Sequence, residues 1–279
     1  MSLKGYVTLT RPVNAVAAGL AAIVAYLIAT GTVIPATLLL MVVVTLVTAA
    51  GNAINDYFDV EIDRVNRPDR PIPAGLVSLP AARAYAVTLF LAGILVCLFT
   101  NDLCIAIAIF NSLLLVGYAA RLKRTPLLGN ITVSYLAASM FMFGGALGGL
   151  TGLLHVMPFA VMTFFAMLAR ELVKDGEDVD GDKASGAVTI PIRYGIKVTM
   201  LLAFFCALLG VMSSFVPSLR WGSWYVCGIL LVDAVILAAS IKAVRCTTPG
   251  EVKASGASML LKAGMFASLV IFTLSALFL

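Results

Sequence analysis

Apolar residues run along this chain in nine blocks, at about 13–30, 34–58, 80–100, 102–120, 127–150, 154–174, 194–216, 221–244 and 258–279. A bilayer core about 30 Å thick needs roughly 20 residues of helix. Each block has that reach, and each reads as a helix because a spanning segment must satisfy its own backbone hydrogen bonds. The first block is too long for the apolar stretch of a secretory leader and counts as a span. The pattern predicts an all-α polytopic membrane protein with about nine transmembrane helices, read as one domain over residues 1–279. Within the fifth span, G-G-A-L-G-G at 144–149 allows helices to approach closely. His155, the one histidine, falls in an outer turn on this reading, which argues against a histidine-based catalytic apparatus.

Polar residues break the pattern at two equivalent places. The second span closes in N-A-I-N-D-Y-F-D-V-E-I-D-R-V-N-R-P-D-R-P-I-P-A-G, residues 52–75. At about 100° per residue, Asn52, Asn55, Asp56, Asp59 and Asp63 share one stripe of a helix. Acids so spaced repel one another unless a cation sits among them. Arg64, Arg67 and Arg70 follow at once, with Pro68, Pro71 and Pro73 stiffening the turn. One such stretch could be a solvated loop that caps a helix. The spacing 0, 4, 7, 11 of Asn52, Asp56, Asp59 and Asp63 returns, however, in Glu171, Asp175, Asp178 and Asp182, 119 positions later. The two copies read as facing halves of a single site. Position 171 holds Glu where position 52 holds Asn, so the halves need not bind metal equivalently.

Composition and charge sharpen this picture. With 61% hydrophobic and 12% charged residues, an ordinary soluble domain is excluded. If the N-terminus is cytoplasmic, every Lys and Arg except Arg220 lies on the inner side, as the positive-inside rule requires. Both acid motifs then face the cytoplasm. The net charge of +5 is a topology signal and gives no ground for a nucleic-acid partner. Five cysteines without C-x-x-C spacing read as small buried apolar residues. Asp233 lies mid-span, where a bare charge is costly, so it needs protonation, a partner or a cavity. D-V-D-G-D from 178 imitates a calcium loop, but Lys183 and Thr189 stand where such a loop needs Gly and Glu.

Further candidates lie at the inner ends of other spans. Arg11 in T-R-P-V-N is a snorkelling anchor or a substrate contact, and Asn14 one turn deeper binds a polar head or a neighbouring helix. Tyr118 and Lys123 stand at the end of the fourth span, while Lys174, Lys183 and Arg193 surround the second acid motif. Paired acid stripes ringed by Lys and Arg suit a polyphosphate. Carboxylates alone would repel it, so Mg²⁺ must bridge them to phosphate oxygens, with the bases offsetting charge on the leaving group. An apolar interior beneath points to an isoprenyl diphosphate. A transporter coupling ions through these acids is a rival reading, although transporters place such groups near the bilayer midplane.

Four motifs carry a resemblance to a known family. They are N-D-x-x-D-x-x-x-D from Asn55, N-R-P-x-R-P-I-P-x-G from Asn66, D-x-x-D-x-x-x-D from Asp175, and Y-A-A-R-L-K-R from Tyr118. Together with T-R-P-V-N, they resemble the UbiA superfamily of intramembrane prenyltransferases over essentially the whole chain. The resemblance implies a helical bundle around a lipid-accessible chamber. It also implies two Mg²⁺ ions held by Asn55, Asp59, Asp63, Asp178 and Asp182, helped by Asn52, Asp56 and Asp175. Asp59, Asp63, Asp178 and Asp182 are the implied catalytic carboxylates. Arg11, Asn14, Arg64, Arg67, Arg70, Tyr118, Lys123, Lys174, Lys183 and Arg193 are the implied substrate contacts. Within the family, N-R-P-D-R-P-I-P-A-G and K-D-G-E-D-V-D-G-D-K-A-S-G-A are similar to an archaeal branch. That branch moves a geranylgeranyl group from geranylgeranyl diphosphate to geranylgeranylglyceryl phosphate, making an ether lipid of the cell membrane. An aromatic acceptor such as 4-hydroxybenzoate is the alternative within the enzyme class.

Overall fold

The computed structural model describes residues 2–184 and 186–278, with the backbone alone for Asn66. Helix α1 (Leu3–Thr10) leads into α2 (Pro12–Thr30), α3 (Thr37–Phe58), the short α4 (Val60–Asn66), α5 (Leu79–Cys97) and α6 (Asp102–Ala120). After a 3-10 turn (Leu122–Arg124) come α7 (Leu128–Leu147), α8 (Gly149–Glu177), and the short α9 (Val179–Ala184) and α10 (Ile190–Tyr194). Helices α11 (Ile196–Ser218), α12 (Gly222–Val244), α13 (Pro249–Ser255) and α14 (Ala257–Leu277) complete the chain. Among the described residues, nine stretches are long and apolar enough to cross a bilayer, the last formed by α13 and α14 together. They coincide with the nine apolar runs to within a few residues at most ends; the end expected at 279 lies outside the described residues.

Two stretches differ from expectation. Helix α8 begins at Gly149 and continues to Glu177, so His155 sits inside a helix and not in a turn. The turn falls earlier because Gly149 adopts φ +73°, a left-handed conformation that glycine tolerates without steric cost. The His155 ring nitrogen Nδ1 lies 3.3 Å from the Ala29 carbonyl. At the other end, α13 precedes the last expected run, and Gly256 at φ +63° separates it from α14.

The chain divides into two compact units, residues 1–122 with 140–155 and residues 123–139 with 156–279. In the first, α3 is the central helix, packed on α2, α5 and α6. Leu40, Val43 and Val47 of α3 meet Ala22 and Tyr26 of α2, Cys97 of α5 and Cys104 of α6 in one core. Gly144 belongs here too: a Cβ on it would come within 2.7 Å of the Ala22 carbonyl, so the small residue is needed for this helix approach. A second core joins Leu9 of α1, Ala53 and Ile54 of α3, Val60 of α4 and Ile72 and Val77 of the following turn. It anchors α1, α4 and the turn after α4 against the end of α3 that carries the first acid motif.

In the second unit α12 packs against α11 and α14. Phe159 stacks near Trp221 and Phe272, at centroid distances of 4.7 and 4.9 Å. Asp233 is buried and accepts a hydrogen bond from Ser214 Oγ at 2.7 Å, while the Tyr225 hydroxyl donates to the Ser214 carbonyl at 2.9 Å. The mid-span acid therefore has a partner within its own unit. All five cysteines are free thiols; Cys97, Cys104 and Cys246 are buried, Cys206 is half-buried, and Cys227 is exposed, contrary to the reading of all five as buried.

Candidate active site

The two acid motifs fold alike. Helix α3 ends at Phe58, Asp59 stands alone, and α4 starts at Val60; α8 ends at Glu177, Asp178 stands alone, and α9 starts at Val179. Helical hydrogen bonding runs through both breaks. The Asp59 amide donates to the Asn55 carbonyl at 3.0 Å and that of Asp63 to the Asp59 carbonyl at 2.8 Å. The Asp178 amide donates to Lys174 at 3.0 Å and that of Asp182 to Asp178 at 2.9 Å. Because the i to i−4 pattern persists, acids spaced 0, 4, 7, 11 keep to one side of the chain in each motif.

In the first motif, the cation that relieves the acid stripe is a guanidinium. Arg70 Nη1 donates to Asp63 Oδ2 at 2.6 Å and to Asp56 Oδ1 at 3.1 Å, while Arg11 Nη2 reaches the same Asp56 oxygen at 2.6 Å. The side chains of Asp56 and Asp63 are only 5% and 7% exposed, so these pairs are shielded from solvent. The turn after α4 aims Arg70 back at them. Its prolines restrict the backbone, Ala74 N–H closes onto the Arg70 carbonyl at 2.9 Å, and Gly75 ends the turn at φ +71°. Arg11 is aimed by its own backbone: it ends α1 at φ +48°, an uncommon conformation for a residue with a side chain. Asn52 Nδ2 holds the adjacent Thr10 carbonyl at 3.0 Å. Asn55 Nδ2 donates to Asp59 Oδ2 at 2.9 Å, which orients that half-buried carboxylate.

The remaining candidates of this unit spread more widely. Arg64 pairs with Glu61 at 2.8 Å on the exposed side of α4, away from the buried stripe. Arg67 is exposed at the end of α4, and Asn14 is exposed in the first turn of α2. Tyr118 is half-buried near the end of α6.

The second motif is supported differently. Asp175 Oδ2 accepts from Asn130 Nδ2 of α7 at 2.9 Å, and Asn130 is buried. Glu171 takes its neighbour Arg170 at 2.5 Å. Asp178 is exposed and Asp182 half-buried. Burial raises the Asp182 pKa, the nearby charge of Asp178 raises it further, and Lys174 opposes both. The charged form of Asp182 thus gains from any added cation. Lys174 and Lys183 are exposed at this end, Lys123 is half-buried on the 3-10 turn, and Arg193 is exposed on α10. Asn130 was missed by sequence reading. Its signal was an Asn in the first turn of an apolar run after a proline, the same placement as Asn14. Asn130→Ala is expected to lower turnover about tenfold by freeing the Asp175 carboxylate, and Asn130→Asp to lower it further by repulsion. Parallel rates and melting temperatures would check this, and unchanged turnover in both variants would contradict it.

No group of three carboxylate, imidazole or thiol side chains is gathered in metal-binding position among the described residues. The donor chemistry nevertheless fits a hard divalent cation. Asp59, Asp175, Asp178 and Asp182 present oxygens only, two of them already oriented by amide donors.

A polytopic helical protein whose acid motif occurs twice at helix ends has the make-up of an intramembrane enzyme acting on a lipid diphosphate. The chain belongs to the UbiA prenyltransferase family, whose profile matches residues 15–270, and it is a prenyltransferase; the transporter reading is set aside. It is 59% identical to a digeranylgeranylglyceryl phosphate synthase of Methanoregula boonei, with 100% of both chains covered. It is 54% identical to the protein of that name from Methanoculleus marisnigri, with 99% of both covered. A solved structure concerning digeranylgeranylglyceryl phosphate synthase in membranes superposes with a TM-score of 0.90 at 34% identity, covering 99% of each chain. A UbiA homologue of Archaeoglobus fulgidus bound to DMAPP and Mg²⁺ shares the fold, with a TM-score of 0.71 at 18% identity over 95% of this chain and 99% of that one.

Proposed function

We propose that this protein transfers a geranylgeranyl group from its diphosphate to the hydroxyl of geranylgeranylglyceryl phosphate, releasing diphosphate. The observation that carries the reading is the acid motif built twice with one local structure, at Asp59 and at Asp178. Full-length relatives named digeranylgeranylglyceryl phosphate synthase support the choice of acceptor. Each motif would hold Mg²⁺ for diphosphate oxygens, two ions in all. Asp59, Asp175, Asp178 and Asp182 would hold the metal, whose hard-cation character suits their oxygens. Magnesium, when bound, neutralises diphosphate charge and makes it a better leaving group. Asn55 and Asn130 keep two of the carboxylates oriented. Arg11 and Arg70 neutralise Asp56 and Asp63, so the helix break holds its shape when an anion arrives.

The allylic C–O bond to diphosphate breaks and an ether C–O bond forms to the acceptor hydroxyl. Its proton passes to a motif carboxylate, and apolar surroundings protect the allylic centre from water. Lys123 holds the acceptor's phosphate as a point charge. The N-terminus and both motifs lie on the cytoplasmic side, a reading supported by the one-sided distribution of Lys and Arg.

The test is a competition between geranylgeranylglyceryl phosphate and 4-hydroxybenzoate for labelled geranylgeranyl diphosphate, with products separated by mass. Only the glycerophosphate lipid should be prenylated, EDTA should stop the reaction, and Mg²⁺ should restore it. Prenylated 4-hydroxybenzoate as the sole product would overturn the acceptor, and full activity after EDTA would overturn the metal.

A further inference from the structure

A cavity of about 520 Å³ lies in the second unit, and none of the motif acids lines it. Its walls come from the approach to α7, from α10 and from the first turns of α11. Leu128, Tyr194, Val198 and Leu202 line it and are 52%, 54%, 45% and 40% exposed, so the groove is open along the side of the protein. In a chain with nine membrane-crossing stretches among its described residues, such an apolar flank is offered to lipid. One cation belongs to the lining: Arg193, whose guanidinium lies 5.4 Å from the centre of the Tyr194 ring. Among the described residues Arg193 has no carboxylate partner. The ring engages one face of the guanidinium and leaves the in-plane N–H donors for an anion.

The wall itself is strained. Leu127 adopts φ +64°, and the Leu128 amide donates to the Pro126 carbonyl at 2.7 Å, closing a tight three-residue turn. A γ-turn of this hand is rare, and a branched side chain at positive φ costs on the order of 1–3 kcal/mol. Next to the lining in sequence, the Val188 amide reaches the Arg124 carbonyl at 3.5 Å. Strain of this kind persists where surrounding structure enforces it, and here it shapes the groove.

We propose that this groove binds one anionic phospholipid of the surrounding bilayer, with the phosphate on Arg193 and a chain along Leu128, Val198 and Leu202. The lipid is a resident and not the reacting acceptor, because the groove contains no acid that could hold metal or take a proton. A soluble phosphate would gain nothing from the apolar walls, whereas a lipid chain fills them. The volume falls in the usual range for small-ligand sites, roughly 300–1,000 Å³.

The experiment uses the full chain in bilayer nanodiscs with a diazirine-bearing phosphatidylglycerol or phosphatidylcholine, and maps labelled peptides after irradiation. Phosphatidylglycerol should label the peptide spanning 190–202 about tenfold more than phosphatidylcholine, the worth of a charge-assisted hydrogen bond. Arg193→Gln should erase that preference, and Leu202→Trp, which fills the groove, should cut labelling by both lipids. Equal labelling of the unaltered protein by the two lipids would overturn the proposal, as would a preference that survives Arg193→Gln. If geranylgeranylglyceryl phosphate displaces the label at lower concentration than phosphatidylglycerol does, the groove takes the acceptor and the resident-lipid reading fails. Labelling needs no turnover, so it succeeds or fails independently of the acceptor assignment.

Discussion

Asp59→Asn should lower prenyl transfer by about 10²–10³-fold, the usual loss when one group that stabilises developing charge is removed. The melting temperature should barely move. Asn has the size of Asp, and the Asn55 amide, now 2.9 Å from Asp59 Oδ2, retains an oxygen to bond. Asp178→Asn should behave in the same way, because Asp178 is exposed and has no packing role to lose. What these substitutions remove is negative charge at two structurally equivalent helix breaks. The comparison that gives the result meaning is Asp56→Asn. That carboxylate is buried against Arg11 and Arg70, so its loss should depress the melting temperature as well as the rate. Rates at saturating Mg²⁺ beside thermal melts in detergent would separate the two classes. An Asp59→Asn protein with undiminished turnover would remove this motif from the chemistry.

Arg70→Met should cost the fold more than any change at the acids. One nitrogen of Arg70 serves both Asp56 and Asp63, and the Arg70 side chain is only 16% exposed. Among the described residues, removing it leaves Asp63 without an ion-pair partner and Asp56 with Arg11 alone. Breaking a buried pair from one side typically costs about 3–5 kcal/mol, because the other charge stays behind in a poorly solvated place. The direction of rescue is specific. Adding Asp56→Asn and Asp63→Asn to Arg70→Met should restore much of the stability, since both buried carboxylate charges are then gone and Arg11, 35% exposed, can be hydrated, while turnover stays low. Thermal melts of the single and triple variants would check it. A triple variant less stable than Arg70→Met would show that packing, not charge, makes Arg70 necessary.

Much of this site was legible in the chain because its signals are local. Apolar runs of bilayer length became helices with ends within a few residues of expectation, since a lipid environment leaves a spanning backbone few alternatives. The repeated acid spacing became a repeated helix, break and short helix, because spacing along a helix fixes which side a residue takes. Even the turn that carries Arg70 was announced by its prolines and by Gly75.

Choice of partner was not local. The acid stripe called for a cation, and sequence could not say that two guanidiniums supply it at Asp56, one of them from Arg11, 45 positions away. Arg64, three residues nearer to Asp63 than Arg67, looked as eligible as Arg70, but helical geometry turns it outward to Glu61. Asn130 reaches Asp175 from another helix, also 45 positions distant, through packing that no periodicity encodes. By itself the sequence determined the helices, the duplicated motif and the chemistry its carboxylates suit. Tertiary structure decided which carboxylates are neutralised and which are merely oriented, because that depends on which side chains the folded backbone brings within about 3 Å.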